Sequence, residues 1–443
     1  MLKPAYFNIV DPDIKKRVLD FVSQKNTFAF FDSHQGKSIP TPITGNRYAF
    51  LAMAGVYDEV KTSVNALHTL DAFIIKHQQN LDWICCLVSY DLKNEIEQLD
   101  TVGKEQIAFP TIHCFVPEIA FTVDETGLLC VHAASESPES VYNQLMAYHS
   151  EDRGIVSGCR VKNKIDKQKY ADAFNQVTQH LMRGDIYEAT LCQQAVVSFD
   201  DCDPTTLFNL LCDKSPNPFS VLYKDGYKSI ACASPERFLR NDFDLLMSQP
   251  MKGTSRRSDD QYEDARLKAS LASSEKECAE NVMIVDLVRN DLSKVAQKGS
   301  VKVDELFGVH SFATVHQMIT SVSCRLQADI GFASILKATF PMGSMTGAPK
   351  ISAMKIIDRI EGFKRGMFSG TIGFFAPGGY FDFNVVIRTI CLDLENKLAT
   401  VTAGGAITVH CELESEWQEC LLKLKPQLQA LGIPIEEAVI QHS

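Results

Sequence analysis

Strand-like and helix-like segments of this chain come in separate runs, and that order restricts the fold more than any other feature. IYEATLCQQAVVSF, FSVLYK, KSIACAS and RFLRN follow one another as strands. A helical pattern returns from Ser274, and strands return again in GTIGFFAP, YFDFNVVIRTICLDL and KLATVTAGGAI. A strict βαβ winding would alternate the two types, so the order predicts an α+β fold built in layers. No repeat with a period of about 20–50 residues interrupts this reading. The helices have clear faces. Asp13 to Gln24 places Ile14, Val18, Leu19 and Val22 together, and DKQKYADAFNQVTQHLMRGD places Tyr170, Phe174, Val177 and Leu181 together. Gly184-Asp185 ends the second of these, and WICCLVSY (83–90) reads as a buried strand. SESPESVYNQLMAYHSEDRG predicts a helix and a loop before residue 160.

The charge balance narrows the function. The 443-residue chain carries a net charge of −11, which argues against a nucleic-acid binder. An anionic substrate would need a local device, such as a metal ion, an arginine or amides at a helix start. Fourteen cysteines occur without a CxxC pair, which points to free buried thiols in a reducing compartment rather than a zinc or redox motif. MLKPAYFNIV lacks a signal-peptide pattern, and no apolar run reaches the ~18 residues of a membrane helix. The expectation is a cytoplasmic protein with no membrane partner.

Several short patterns could carry chemistry. Glu277 and Glu280 are three apart on one helix face that continues through Ile284 and Leu287. Carboxylates leading into an apolar face are costly unless a hard divalent cation neutralises them. For Glu277, a capping box with Ser274 competes with that reading. Glu416 and Glu419 form a second pair, on a helix for which Ser415 is a candidate N-cap with Gln418. Gly343-Ser344-Met345-Thr346-Gly347-Ala348-Pro349-Lys350 precedes a clear helix, so its amides could face an anion, or it could be a tight turn. Gly404-Gly405 follows a strand and could let backbone amides approach a carboxylate, or could form a bulge. Arg388 ends the apolar strand FNVVIRTI and is either paired structurally or aimed at a ligand carboxylate. Lys252 lies at a strand end or turn, where it is a solvated charge or a buried nucleophile. His316 is an acid/base group or a satisfied core histidine, and the core reading is favoured.

Taken in order, SPERFL (234–239), PMKGT (250–254), KECAENVMIVDLVRNDL (276–292), GSMTGAPK (343–350), SGTIGFF (369–375), VIRT (386–389) and GGAI (404–407) resemble the chorismate-utilising enzymes. The resemblance runs from about residue 160 to 425. It implies two large, mostly antiparallel sheets packed as a sandwich with helices outside. Residues 1–150 would form the N-terminal region and 160–430 the chorismate-binding catalytic region of one intertwined domain. It also implies roles. Glu280 and Glu419 match direct Mg2+ ligands, and Glu277 and Glu416 match the pair that holds the ion through water. Gly404 and Gly405 would offer amides to the substrate's ring carboxylate, and Arg388 would hold the enolpyruvyl carboxylate. Glu236 matches the general acid for the 4-hydroxyl, and His316 matches an active-site histidine.

Within the family, Lys252 falls where the aminodeoxychorismate branch carries a lysine and the anthranilate branch reads PIAGT. Asn281 stands where anthranilate synthases usually have histidine. Glu188 occupies the position of the water-activating lysine in isochorismate and salicylate synthases, and of a glutamine in ammonia-using members. Phe368 replaces a tyrosine that would bond the enolpyruvyl carboxylate. The resemblance therefore implies amination of chorismate at C4 by a component I, with Lys252 attacking C2 in a neutral form. Ammonia would come from a glutamine amidotransferase subunit. Anthranilate synthesis, or chorismate binding without turnover, are the alternatives.

Overall fold

The computed structural model describes residues 3–34, 46–124, 127–149, 154–312 and 315–440. The strands gather into a 12-stranded and a 10-stranded sheet, and the α+β expectation holds. Each sheet draws strands from both ends of the chain. The first runs from Lys3–Asn8, Leu128–Ala133, Ile119–Asp124, Tyr48–Ala54 and Thr27–Asp32 into Phe219–Asp225, Lys228–Ser234, Thr389–Asp393, Leu398–Ile407 and Glu188–Ser198. The second joins Met251–Arg256, Val315–Arg325 and Arg237–Asp242 to Thr371–Phe375, Ile84–Val88 and Ile112–Val116. The pairings in both are antiparallel.

Alternation along the strands separates three apolar cores. Cys85 and Leu87 point between the sheets with Ala29, Val221, Ile230 and Phe374. Ile84, Cys86 and Val88 point the other way, onto a core shared with the Glu275–Ser293 and Phe332–Thr339 helices. Phe28 and Phe30 face the helices outside the first sheet. A strand covered on both faces reads as a continuous apolar run, which is why WICCLVSY shows no alternation. The predicted helices form as Ile14–Val22, Pro138–Ala147 and Lys167–Arg183, the last closed by Gly184 at φ +78°. Left-handed backbone of that kind is where glycine costs least. Part of the predicted loop before residue 160 (150–153) lies outside the described residues. All fourteen cysteines are free thiols. No helix among the described residues is long and apolar enough to cross a membrane.

Three expectations need correction. FNVVIRTI is not one strand: Phe381–Asn384 ends in the second sheet and Thr389–Asp393 begins in the first, with Arg388 at φ +54° between them. Gly404-Gly405 does not follow a strand or form a bulge. It lies within Leu398–Ile407, in regular register opposite Cys192 and Leu191. The helix predicted from Ser415 starts at Leu413 and runs to Ala430, with Glu412 as an N-cap that makes no side-chain bond, and Gln418 bonds Glu414 instead. The earlier capping box forms by half: Ser274 accepts from the Glu277 amide, while the Ser274 amide bonds Leu271.

Gly404 is enclosed on this strand. A Cβ there would collide with the Leu191 carbonyl oxygen and lie 2.6 Å from the Cys192 sulfur. Gly404→Ala should therefore lower stability by about 1–3 kcal/mol, the usual cost of overpacking. Urea unfolding of the variant against the parent measures it.

Candidate active site

Two of the places where the chain crosses from one sheet to the other lie side by side. One crossover carries Glu236, between Lys228–Ser234 and Arg237–Asp242; the other carries Arg388. They bond each other: the Val385 amide donates to the Glu236 carbonyl at 3.0 Å, the Ala233 amide to the Arg388 carbonyl at 3.1 Å, and the Ser234 hydroxyl to the Val385 carbonyl at 2.6 Å. A crossover has fewer ladder bonds than a strand interior, so these bonds hold both side chains in place. Burial pushes the Glu236 carboxyl up to about 7, against the Ser344 hydroxyl bond and the Lys252 charge, which act the other way. Arg388 is pulled down to about 10 by burial, and Glu419 opposes this. No hydrogen bond or ion pair within the chain engages its guanidinium among the described residues, which leaves its donor fork for a ligand carboxylate.

Glu188 opens the Glu188–Ser198 strand and is fully buried. Its Oε1 accepts from Lys252 Nζ at 2.7 Å, and its Oε2 has no partner among the described residues. Lys252 lies at the second position of the Met251–Arg256 strand in the other sheet, so the pair bridges the two sheets. The expected fall in the lysine's pKa is not found. Burial pulls it down, but Glu188, Glu280 and Glu419 outweigh burial, and the pKa is raised. In this state Lys252 is an ammonium beside a carboxylate that can take its proton.

The two glutamate pairs converge here from separate helices. Glu277 and Glu280 lie on Glu275–Ser293, and Glu416 and Glu419 on Leu413–Ala430. Glu280 Oε1 is buried without a hydrogen-bond partner among the described residues, and burial pushes its carboxyl up to about 7. Lys276 lies between the pairs, 3.4 Å from Glu416 and 4.0 Å from Glu280, and Lys423 stands 2.6 Å from Glu419. Facing them is Gly405, where a Cβ would come within 3.1 Å of Glu416 Oε2 and 4.0 Å of Glu419 Oε1. All-carboxylate donors, an orphaned buried oxygen and an open glycine face suit a hard divalent cation. A tighter triad of Glu59, His113 and Asp225 lies elsewhere, but Lys61 already pairs with two of its members, at 3.0 Å and 2.9 Å. The glutamate set, with an unpartnered oxygen, fits an ion better.

Other predicted residues are placed less directly. His316 is buried on Val315–Arg325 and bonds Ser311 and Asp264 at 2.9 Å and 3.0 Å, with Asp264 paired in turn to Arg257. These bonds match the core reading of its environment. Thr346 turns its hydroxyl back to the Met342 and Gly343 carbonyls, and Gly347 pairs with Ala189. Phe368 packs in the core outside the second sheet. Sequence reasoning assigned no role to Ser344, which bonds Glu236 at 2.7 Å, or to the neutralising Lys276 and Lys423. The i,i+4 spacing of Lys276 with Glu280, and of Glu419 with Lys423, was the available signal.

Residues 28–429 match the family model described as chorismate binding enzyme. Aminodeoxychorismate synthase component 1 of Escherichia coli (strain K12) is 34% identical over 348 residues, covering 78% of this chain and 76% of that protein. Aminodeoxychorismate synthase of Streptomyces griseus is 40% identical over 272 residues, 61% of this chain, and the match spans only 37% of that longer protein. The crystal structure of anthranilate synthase component I from Streptococcus pneumoniae TIGR4 superposes with a TM-score of 0.77 at 26% identity, covering 89% of this chain and 94% of that one.

Two measurements test the geometry. Gly405→Ala fills the space before Glu416 and Glu419, so activity should fall about tenfold or more while the unfolding free energy from urea titration stays within about 0.5 kcal/mol of the parent. With Glu236 as the proton donor, kcat/KM should fall as pH rises through about 7, because only the protonated carboxyl can donate. A profile flat from pH ~6 to ~9 would remove Glu236 from that role.

Proposed function

Because the chain belongs to the chorismate-binding enzyme family, whose members in the comparisons include an aminodeoxychorismate synthase component 1 and an anthranilate synthase component I, we propose that it aminates chorismate at C4 to 4-amino-4-deoxychorismate. The observation that carries this reading is Lys252, a half-buried amine with 11% side-chain exposure that lies 2.7 Å from the carboxylate of Glu188. Ammonia attacking C2 directly would give the anthranilate-type product. A lysine that occupies C2 first returns the second attack to C4.

The steps balance on residues of the chain. Lys252 passes its proton to Glu188, and its neutral nitrogen attacks C2. Both conjugated ring double bonds shift, the C4–oxygen bond breaks, and Glu236 protonates the departing oxygen to give water. Ammonia then attacks C4, both double bonds shift back, the C2–nitrogen bond breaks, and Lys252 leaves neutral and recovers its proton from Glu188. The new C4 ammonium returns a proton to Glu236. Arg388 holds the enolpyruvyl carboxylate, and the amides at Gly404-Gly405 face the ring carboxylate. Glu280, Glu419, Glu277 and Glu416 would hold Mg2+, directly or through water, and the ion would supply positive charge for that carboxylate. A glutamine amidotransferase subunit supplies the ammonia, a partnership supported by likeness to a component 1 protein.

Mass spectrometry after incubation with chorismate, Mg2+ and an ammonium salt should give aminodeoxychorismate, and glutamine in place of ammonium should give none from this chain alone. Glu280→Gln and Glu419→Gln should each lower turnover about 100-fold or more. Lys252→Ala should cut C4 amination by a similar factor and shift residual product towards C2 substitution. Anthranilate from the parent, or no product at all, would overturn the proposal in favour of one of its alternatives.

A further inference from the structure

Ser344 sits in the short Gly343–Met345 helical turn, ahead of the Lys350–Ile360 helix. Its hydroxyl donates to Glu236 Oε1 at 2.7 Å. An exposed turn could not aim a serine well, but this one is fastened by its backbone at three successive carbonyls. The Ser344 carbonyl accepts from Thr190 Oγ1 at 3.0 Å. The Met345 carbonyl accepts from Arg365 Nη1 at 2.6 Å. The Thr346 carbonyl accepts from the Thr190 amide at 2.8 Å. Arg365 also donates to the Thr190 carbonyl at 2.8 Å, so turn and strand are pinned to each other as well as to the arginine. Arg365 itself is held by a bidentate pair with Glu361, at 2.9 Å and 2.6 Å, with side-chain exposures of 1% and 2%. Glu361 in turn accepts from the Cys192 amide at 2.9 Å, two residues beyond Thr190 on the strand that begins with Glu188.

A carboxyl group that gives up a proton must present it on the oxygen facing the acceptor. With the Ser344 hydroxyl donating into Oε1, the proton of neutral Glu236 belongs on Oε2. After transfer the same bond stabilises the carboxylate. We propose that Ser344 is the positioning residue of the general acid Glu236, and that Thr190 and Arg365, through the three carbonyls, set the height of its hydroxyl. The inference rests on the C4-amination reading only in taking Glu236 as the acid.

Two charged groups also act on Glu236: Lys252 on the Met251–Arg256 strand and Lys423 on the Leu413–Ala430 helix, both of which favour its ionised form. Both remain when Ser344 is changed, so a shift in titration reports the hydroxyl. Ser344→Ala removes a bond that favours the carboxylate. Burial then acts with less opposition, and the alkaline limb of kcat/KM, measured at constant free ammonia, should move up by about one pH unit. On the plateau, kcat should drop about tenfold, because the proton is no longer directed to one oxygen. Ser344→Thr keeps a hydroxyl and should restore the parental limb. Thr190→Val, which removes only the bond to the Ser344 carbonyl, should move the limb the same way by less. It carries the comparison if Ser344→Ala does not fold. Product identity is read in the same assays. A Ser344→Ala or Thr190→Val enzyme that forms the C4 product with the parental limb overturns this inference and leaves the C4 reading intact. A parent that forms no C4 product overturns that reading, whatever the limb does.

Discussion

Crowding of like charge at one end of the sandwich governs this structure. Glu188, Glu277, Glu280, Glu416 and Glu419 act on the same small region, with Glu188, Glu280 and Glu416 buried. Ionised carboxylates in low dielectric repel strongly and lose hydration, so such a group persists only with nearby positive charge. The chain supplies part of it: Lys252 to Glu188, Lys276 to Glu416, and Lys423 to Glu419. Glu280 keeps an oxygen without a hydrogen-bond partner among the described residues, and burial pushes its carboxyl up to about 7, so positive charge placed beside it would favour its ionised form. A region arranged in this way is costly for folding and favourable for binding a divalent ion with an anionic ligand.

The sandwich makes that arrangement possible by crossing between sheets next to it. Glu236 and Arg388 occupy adjacent crossovers that bond each other, while Glu188 and Lys252 come from opposite sheets and meet at 2.7 Å. An acid, a cationic fork and an amine–carboxylate pair are thus fixed to two rigid layers. Movement of one sheet against the other would separate Lys252 from Glu188, so the packing of Ala29, Val221 and Phe374 between the sheets bears on chemistry as well as stability.

Much of this was legible in the sequence. Helix faces such as Tyr170, Phe174, Val177 and Leu181 follow from spacing alone, and all four are buried. The ordered motifs gave the family and the sheet architecture. What spacing could not give was the third dimension. FNVVIRTI reads as one strand because apolar character does not mark a change of sheet; the break lies in the positive φ of Arg388, a conformation that its residue type does not signal. Gly404 and Gly405 read alike, yet one is closed in by a neighbouring strand and the other opens towards two glutamates. The raised pKa of Lys252 escapes a reading of spacing for the same reason. Burial was foreseeable, but the carboxylates that outweigh it come from elements far apart in the chain.

The account turns on a covalent bond between Lys252 and the substrate ring. Intact-protein mass measurement of the parent, quenched after mixing with chorismate and Mg2+ without ammonia, tests that bond most directly. The account predicts a species heavier by chorismate less one water, localised to Lys252 by peptide mapping, stable without borohydride, and discharged when ammonia is added. An unmodified chain that nonetheless aminates C4 once ammonia is present would contradict it.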